Sequence, residues 1–173
     1  MTEDASMAPD EEMATPPVVP DDSFGGFFAE HHTQVVRSLS LALGDDQLGR
    51  DAAAEGFARA LQRWNRVSRY ENPTGWIYRV GLNWARSRRR RTAREVSAAA
   101  AGDGLSVLPV QRDLRIVGAL RRLTPDHRAV VVARFYLDWS EQQIATALGI
   151  RPGTVKSRLS RALECLADDL GTA

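Results

Sequence analysis

Residues 140–161 read Ser140-Glu141-Gln142-Gln143-Ile144-Ala145-Thr146-Ala147-Leu148-Gly149-Ile150-Arg151-Pro152-Gly153-Thr154-Val155-Lys156-Ser157-Arg158-Leu159-Ser160-Arg161, an order that predicts two short helices around a tight turn. Ser140 and Gln143 have the spacing of a capping box, in which each side chain satisfies the other's free backbone donor. Ile144, Ala145 and Leu148 follow on one helical face. Gly149 supplies the left-handed geometry that an abrupt turn requires. Pro152 suits the opening turn of a second helix, and Val155, Leu159, Ala162 and Leu166 recur on its inner side. Counted from Glu141, the fifth position is small (Ala145), the ninth is glycine and the fifteenth is aliphatic (Val155). The reason is steric. Two closely crossing helices leave no room beside Ala145, and Val155 fills the angle between them. The segment therefore reads as a helix-turn-helix. The outward row of its second helix carries Thr154, Ser157 and Arg161, flanked by Arg151, Lys156 and Arg158. Hydroxyls and guanidiniums so placed reach phosphates and base edges when the helix enters a major groove. A helical hairpin with a solvated charged face is the plainer alternative, but it leaves the joint presence of box, turn glycine and basic row unexplained.

Working upstream, a second module begins near Asp113. Leu114, Val117, Leu120 and Leu123 are expected to pack inward, and Thr124-Pro125 reads as an N-cap and first-turn pair. Val130 to Val132 and Phe135-Tyr136-Leu137 are assigned to a buried helix, because the surrounding helical signals outweigh their β-branched content. Residues 92–112, with Ala98 to Ala101, Gly102, Gly104 and Pro109, show no apolar stripe and are read as a flexible linker.

The N-terminal half is also helical. Phe28, His31, Val35, Leu39 and Ala42 fall on one stripe that Gly44 stops. A second helix from about Asp46 to Trp64 is expected to turn Ala54, Phe57, Leu61 and Trp64 inward and Asp51, Glu55, Arg59 and Gln62 outward. After the polar break Ser68 to Asn72, Pro73 opens a helix running to about Arg91. Ile77, Val80, Gly81 and Trp84 lie on one of its faces; Arg79, Asn83, Arg86 and Arg90 lie on the other. Seven arginines between positions 79 and 94 are interleaved with Trp76, Tyr78 and Trp84. Trp84 belongs with the core stripe. Trp76 and Tyr78 lie nearer the helix margin, where an unpaired base can stack. The fold class is thus all-α: two small helical domains at 23–91 and 113–170, joined by the linker.

Bulk properties agree. The 23 basic and 22 acidic residues nearly cancel, yet residues 1–22 hold seven of the acids and no Lys or Arg, leaving a basic body behind an acidic, proline-bearing leader. Such a leader cannot bury enough apolar surface to offset its ordering entropy and is expected to be a disordered tail. All the basic residues but Lys156 are arginine, whose planar fork suits phosphate and guanine. A polyanion partner is the expectation. No apolar run reaches the ~18 residues of a membrane span, and no signal pattern opens the chain, so a cytoplasmic location without membrane insertion is expected. The single Cys165 excludes an internal disulfide and is assigned to packing. His31-His32 face different sides of a helix and lack partners for metal or acid–base chemistry. No catalytic residue, metal site or cofactor is expected.

With a helix-turn-helix at one end and an Arg/Trp helix at the other, the chain resembles the extracytoplasmic-function (ECF) sigma factors of the sigma-70 family, over about residues 24–91 and 113–169. Asn72-Pro73-Thr74-Gly75-Trp76-Ile77-Tyr78-Arg79-Val80-Gly81-Leu82-Asn83 resembles the promoter-melting helix. Leu123 to Val130 and Gly153 to Ala162 resemble the C-terminal domain. The resemblance implies a non-enzymatic initiation factor whose partners are promoter DNA and the beta-prime and beta subunits of core RNA polymerase, with an anti-sigma factor common in the family. It implies core binding through Asp51, Glu55, Phe57 and Arg59. Minus-ten recognition and strand opening fall to Trp76, Tyr78, Arg79, Asn83, Arg86 and Arg90. Minus-35 reading falls to Arg151, Thr154, Lys156, Ser157, Arg158 and Arg161. The chain departs from the family pattern in two respects. Ala52, Ala53 and Ala54 stand where larger aliphatic and amide residues are usual, and Arg151 replaces a serine cap, losing about 1 kcal/mol of capping but adding a charge. A helix-turn-helix regulator acting without polymerase is the alternative; it accounts for the C-terminal half and leaves the Arg/Trp helix without a task.

Overall fold

The computed structural model describes residues 23–96 and 114–171, and every regular element among them is a helix. The N-terminal module contains α1 (Phe24–Leu43), α2 (Asp46–Gln62), the single turn α3 (Trp64–Val67) and α4 (Pro73–Val96); the C-terminal module contains α5 (Leu114–Arg122), α6 (Pro125–Phe135), α7 (Glu141–Leu148) and α8 (Pro152–Gly171). The acidic leader and the central linker lie outside the described residues, except that α4 continues through Val96 and takes in the first residues assigned to the linker.

Local chemistry sets the ends of these helices. Ser23 and Asp45 cap α1 and α2 by accepting from the backbone amides of Gly26 and Leu48. Asn72 caps α4, its Oδ1 accepting from the Gly75 amide at 2.7 Å. Thr124 caps α6 ahead of Pro125, and the capping box of Ser140 and Gln143 on α7 is complete. Gly44 and Gly149 end α1 and α7 at φ +68° and +66°, a region costly for residues bearing a Cβ.

The N-terminal core is built on small residues. Leu48, Gly49, Ala52, Ala53, Gly56, Phe57 and Ala60 form the buried face of α2, which corrects the expected stripe: Ala54 is exposed, Leu61 is 57% exposed and Trp64 is only half-buried. The cause is close helix packing. A Cβ added to Gly56 would stand 2.8 Å from Ile77 Cγ2, and one on Gly81 would stand 2.9 Å from the Ala52 carbonyl. Large side chains there would hold α1, α2 and α4 apart. An aromatic group of Phe24, Phe27, Phe28, Phe57 and Trp64 closes the end of this core, with ring centroids 4.8–6.4 Å apart. His31 and His32 lie against Phe27 and Phe28.

In the C-terminal module Ile144, Ala145, Val155, Leu159 and Ala162 are buried where α7 meets α8. Three expectations fail there. Phe135 is 63% exposed and Tyr136 is exposed too, because α6 ends at Phe135 and its buried face runs through Ala129 to Ala133. Cys165 is exposed, one position round the helix from the inward Leu166. The two modules are also not separate cores, for α1 packs on α6 and α4 on α7 in one continuous cluster.

Candidate nucleic-acid interface

The start of α8 is presented as its spacing requires. Arg151, Lys156, Ser157 and Arg161 are exposed and Thr154 is partly so, while Val155 beneath them is fully buried. The Ser157 hydroxyl donates back to the Thr154 carbonyl at 3.1 Å, which leaves its oxygen free to accept. Arg158 differs from its neighbours. Its Nη2 donates to Asp126 Oδ2 at 2.6 Å, so the guanidinium is held against α6.

On α4 the expected faces separate with two changes. Ile77, Gly81, Leu82 and Ala85 are buried, and Arg79, Asn83 and Arg90 are exposed. Trp84 is only half-buried, with the Arg88 guanidinium 5.4 Å from its ring centre; it is a stacking platform as much as a core residue. Tyr78 is the larger departure, at 0% exposure. Its hydroxyl donates to the Ala129 carbonyl at 3.1 Å, and its ring meets Trp139 edge-on at 5.6 Å. Burial pushes the phenol far above its ordinary range. In this conformation Tyr78 touches the C-terminal module and no base can reach it. Arg86 is also engaged, donating to Asp126 Oδ1 at 2.6 Å. Trp76 and Arg79 line a cleft of about 410 Å³ with Tyr70, Asn72, Gln142 and Thr146.

The outer face of α2 carries Asp51, which accepts from Gln47 at 2.8 Å, and Glu55, paired with Arg59 at 2.7 Å. Phe57 is not part of that face. It is 2% exposed within the aromatic group, against Phe24, Phe27 and Phe28, and so is not presented to a partner. A separate apolar groove lies between α5, α6 and α8, lined by Ile116, Leu120, Val131, Phe135, Leu163 and Leu166.

Asp126 escaped the sequence reading. Beside Thr124-Pro125 it looks like an ordinary first-turn acid favoured by the helix dipole, and the arginines it joins are 40 and 32 residues away. Nothing local announces that role. Among the described residues no group of His, Cys, Asp or Glu is placed to hold a metal, and no helix is long and apolar enough to cross a membrane.

An all-helical protein with an exposed basic recognition helix in one module and an arginine-rich helix in the other is of the DNA-binding class. Residues 113–166 match the Sigma-70, region 4 family. The ECF RNA polymerase sigma factor SigL of Mycobacterium tuberculosis is 34% identical over 157 residues, covering 82% of this chain and 88% of that protein. The RNA polymerase sigma factor CarQ of Myxococcus xanthus is 30% identical, covering 87% and 90%. The sigma factor RpoE in complex with the anti-sigma factor NepR from Bartonella quintana shares the fold, with a TM-score of 0.70 at 22% identity over 84% of this chain and 97% of that one. CnrH in complex with the cytosolic domain of CnrY has a TM-score of 0.59 at 24% identity, over 86% and 88%. The chain belongs to the ECF RNA polymerase sigma factors of the sigma-70 family.

Proposed function

We propose that this sigma factor binds core RNA polymerase through the outer face of α2, reads the minus-35 element with α8 and the minus-ten element with α4, and promotes strand opening between them. The observation that carries this reading is the pairing of two basic helical faces of different chemistry in one chain. The face on α8 offers Thr154, Ser157, Lys156 and Arg161 above a buried Val155, a form suited to a duplex groove. The face on α4 mixes Arg79, Asn83, Arg86 and Arg90 with the half-buried Trp76, a form suited to splayed bases. Extruding a base costs a few kcal/mol, and stacking it on an aromatic ring returns about 1–3 kcal/mol. One aromatic trap with arginines on the flanking phosphates therefore offsets much of the cost of extruding the base it holds.

Asp51, Glu55 and Arg59 are the core-polymerase contacts in this reading. An anti-sigma factor is a further proposed partner, since two structures of the same fold are complexes with NepR and CnrY, and the groove of Ile116, Phe135 and Leu163 offers it an apolar surface. Acting on chromosomal promoters, the protein works in the cytoplasm. Co-purification with core polymerase tests the proposal: a stoichiometric complex that Glu55→Lys weakens is expected. Duplex binding without any polymerase complex would leave a free-standing regulator as the correct reading.

A further inference from the structure

Three arginines from three helices meet at the turn that ends α1, away from both proposed DNA-reading faces. Arg121 stands in the last turn of α5, Arg128 in α6, and Arg89 in the arginine run of α4. Arg89 Nη2 donates to the Leu43 carbonyl at 2.9 Å. A Cβ on Gly44 would strike Arg128 Nη1 and stand 3.6 Å from Arg121 Cγ, so the bare glycine is what admits both side chains. We propose that Arg89, Arg121 and Arg128 form an anion site over Gly44 that takes the terminal phosphate of a small ligand, inorganic pyrophosphate being the simplest of the class.

Structural duties do not account for the cluster. A helix C-terminus favours a cation, and Arg89 on the Leu43 carbonyl meets that need for α1. Arg128 Nη2 ties off the Leu123 carbonyl beyond α5 at 3.1 Å. Arg121 then has no such task, and Arg128 is 7% exposed with its Nε lacking any hydrogen-bond partner. The adjacent acids serve α2: Asp45 caps it at the Leu48 amide and Asp46 lies in its first turn. None of the three arginines is ion-paired with a described carboxylate. Burial, then Arg89 and Arg121, disfavour the charge on Arg128. Arginine keeps its proton in proteins, so a counter-charge is what relieves that cost. The end of α1 supplies only about half a negative charge against three guanidiniums, which leaves the cluster strongly positive. Planar guanidinium forks match phosphate oxygens. Because Arg89 and Arg121 are exposed and Arg128 lies beneath them, a ligand enters past the rim to reach it. A terminal phosphate has that reach; a phosphodiester held in a stiff duplex does not.

The test is isothermal titration of the full chain with inorganic pyrophosphate, the ionic strength being held constant with sodium chloride. R121Q removes an exposed member of the cluster. R121K keeps its charge and loses only the fork. R66Q makes the same charge change as R121Q on α3, whose Trp64 packs on Phe24, roughly 30 Å away along α1. One pyrophosphate per chain is expected, bound about tenfold more weakly by R121Q, to an intermediate degree by R121K and as in the parent by R66Q. Thermal melts give a second readout. Excluded anions stabilise folded chains generally, so the informative quantity is the rise in midpoint of the parent beyond that of R121Q, which site binding requires. Absence of saturable binding, or equal affinity in the parent and R121Q, overturns the site. A short random-sequence duplex supplies the last arm. Its affinity should be the same for R121Q and R66Q; a loss confined to R121Q would assign the cluster to the DNA backbone and overturn the small-ligand reading.

Discussion

At the residue scale, Arg161 and Arg158 are one helical turn apart and in different circumstances. Arg161 is exposed on the outward row of α8, whereas Arg158 is held by Asp126. Arg161→Ala is therefore expected to weaken binding to minus-35 duplex by about 1–3 kcal/mol, read by titration at fixed salt, while strand opening on a pre-melted template stays intact. Loss of opening on that template would mean the modules divide their labour differently. Tyr78 supports a prediction about pH. Burial raises its folded-state pKa above the ordinary value of 10.0, so the neutral phenol is the form the fold accepts. Its contribution is fully present below about pH 10 and is lost as pH climbs beyond that, because the unfolded chain ionises first. In urea melts over the alkaline range, Tyr78→Phe should lose stability less steeply than the parent. Equal slopes would show that the ring is not shielded.

At the element scale, the packing of α2 on α4 depends on glycine and alanine. Gly56→Ala places a Cβ 3.0 Å from the Ile77 backbone carbonyl, which cannot swing aside as a side-chain tip does. Overpacking of that kind costs about 1–3 kcal/mol, so the thermal midpoint should drop by several degrees, while Ala54→Glu on the exposed side should leave it nearly unchanged. A tolerant Gly56 would contradict the close approach. On the outer side of α4, Arg90→Gln should lower the slope of log affinity against log salt by about 0.7 for single strands; an unaltered slope would assign Arg90 to solvent. The helices differ in how much of them the sequence made legible. The cap and turn signals at Ser140, Gln143, Gly149, Thr124 and Pro125 were readable because each works within four or five residues of itself. The buried side of α2 was misread because Ala52, Ala53 and Ala54 are identical in hydropathy, and only their neighbours in space distinguish them. Phe57 was read as inward from its spacing and is buried as read; only the family resemblance made it a polymerase contact, and the aromatic partners that enclose it, Phe24 and Phe28, come from another helix.

At the scale of the whole molecule, the expectation of two tethered, separate cores gives way to two modules in contact. The sequence held the parts of that junction but not their pairing, since Tyr78 and Ala129 lie 51 residues apart with the linker between them. An aromatic residue on a helix margin reads the same whether it awaits a base or a protein neighbour. The central claim is that one chain of this design directs polymerase to a start site by gripping duplex and melted DNA together. Run-off transcription with purified core polymerase on genomic fragments tests it most directly. Transcripts with discrete 5′ ends should appear only when this chain is added and should diminish with Arg161→Ala. Core polymerase that yields no defined start in its presence, despite duplex binding by the C-terminal module, would contradict it.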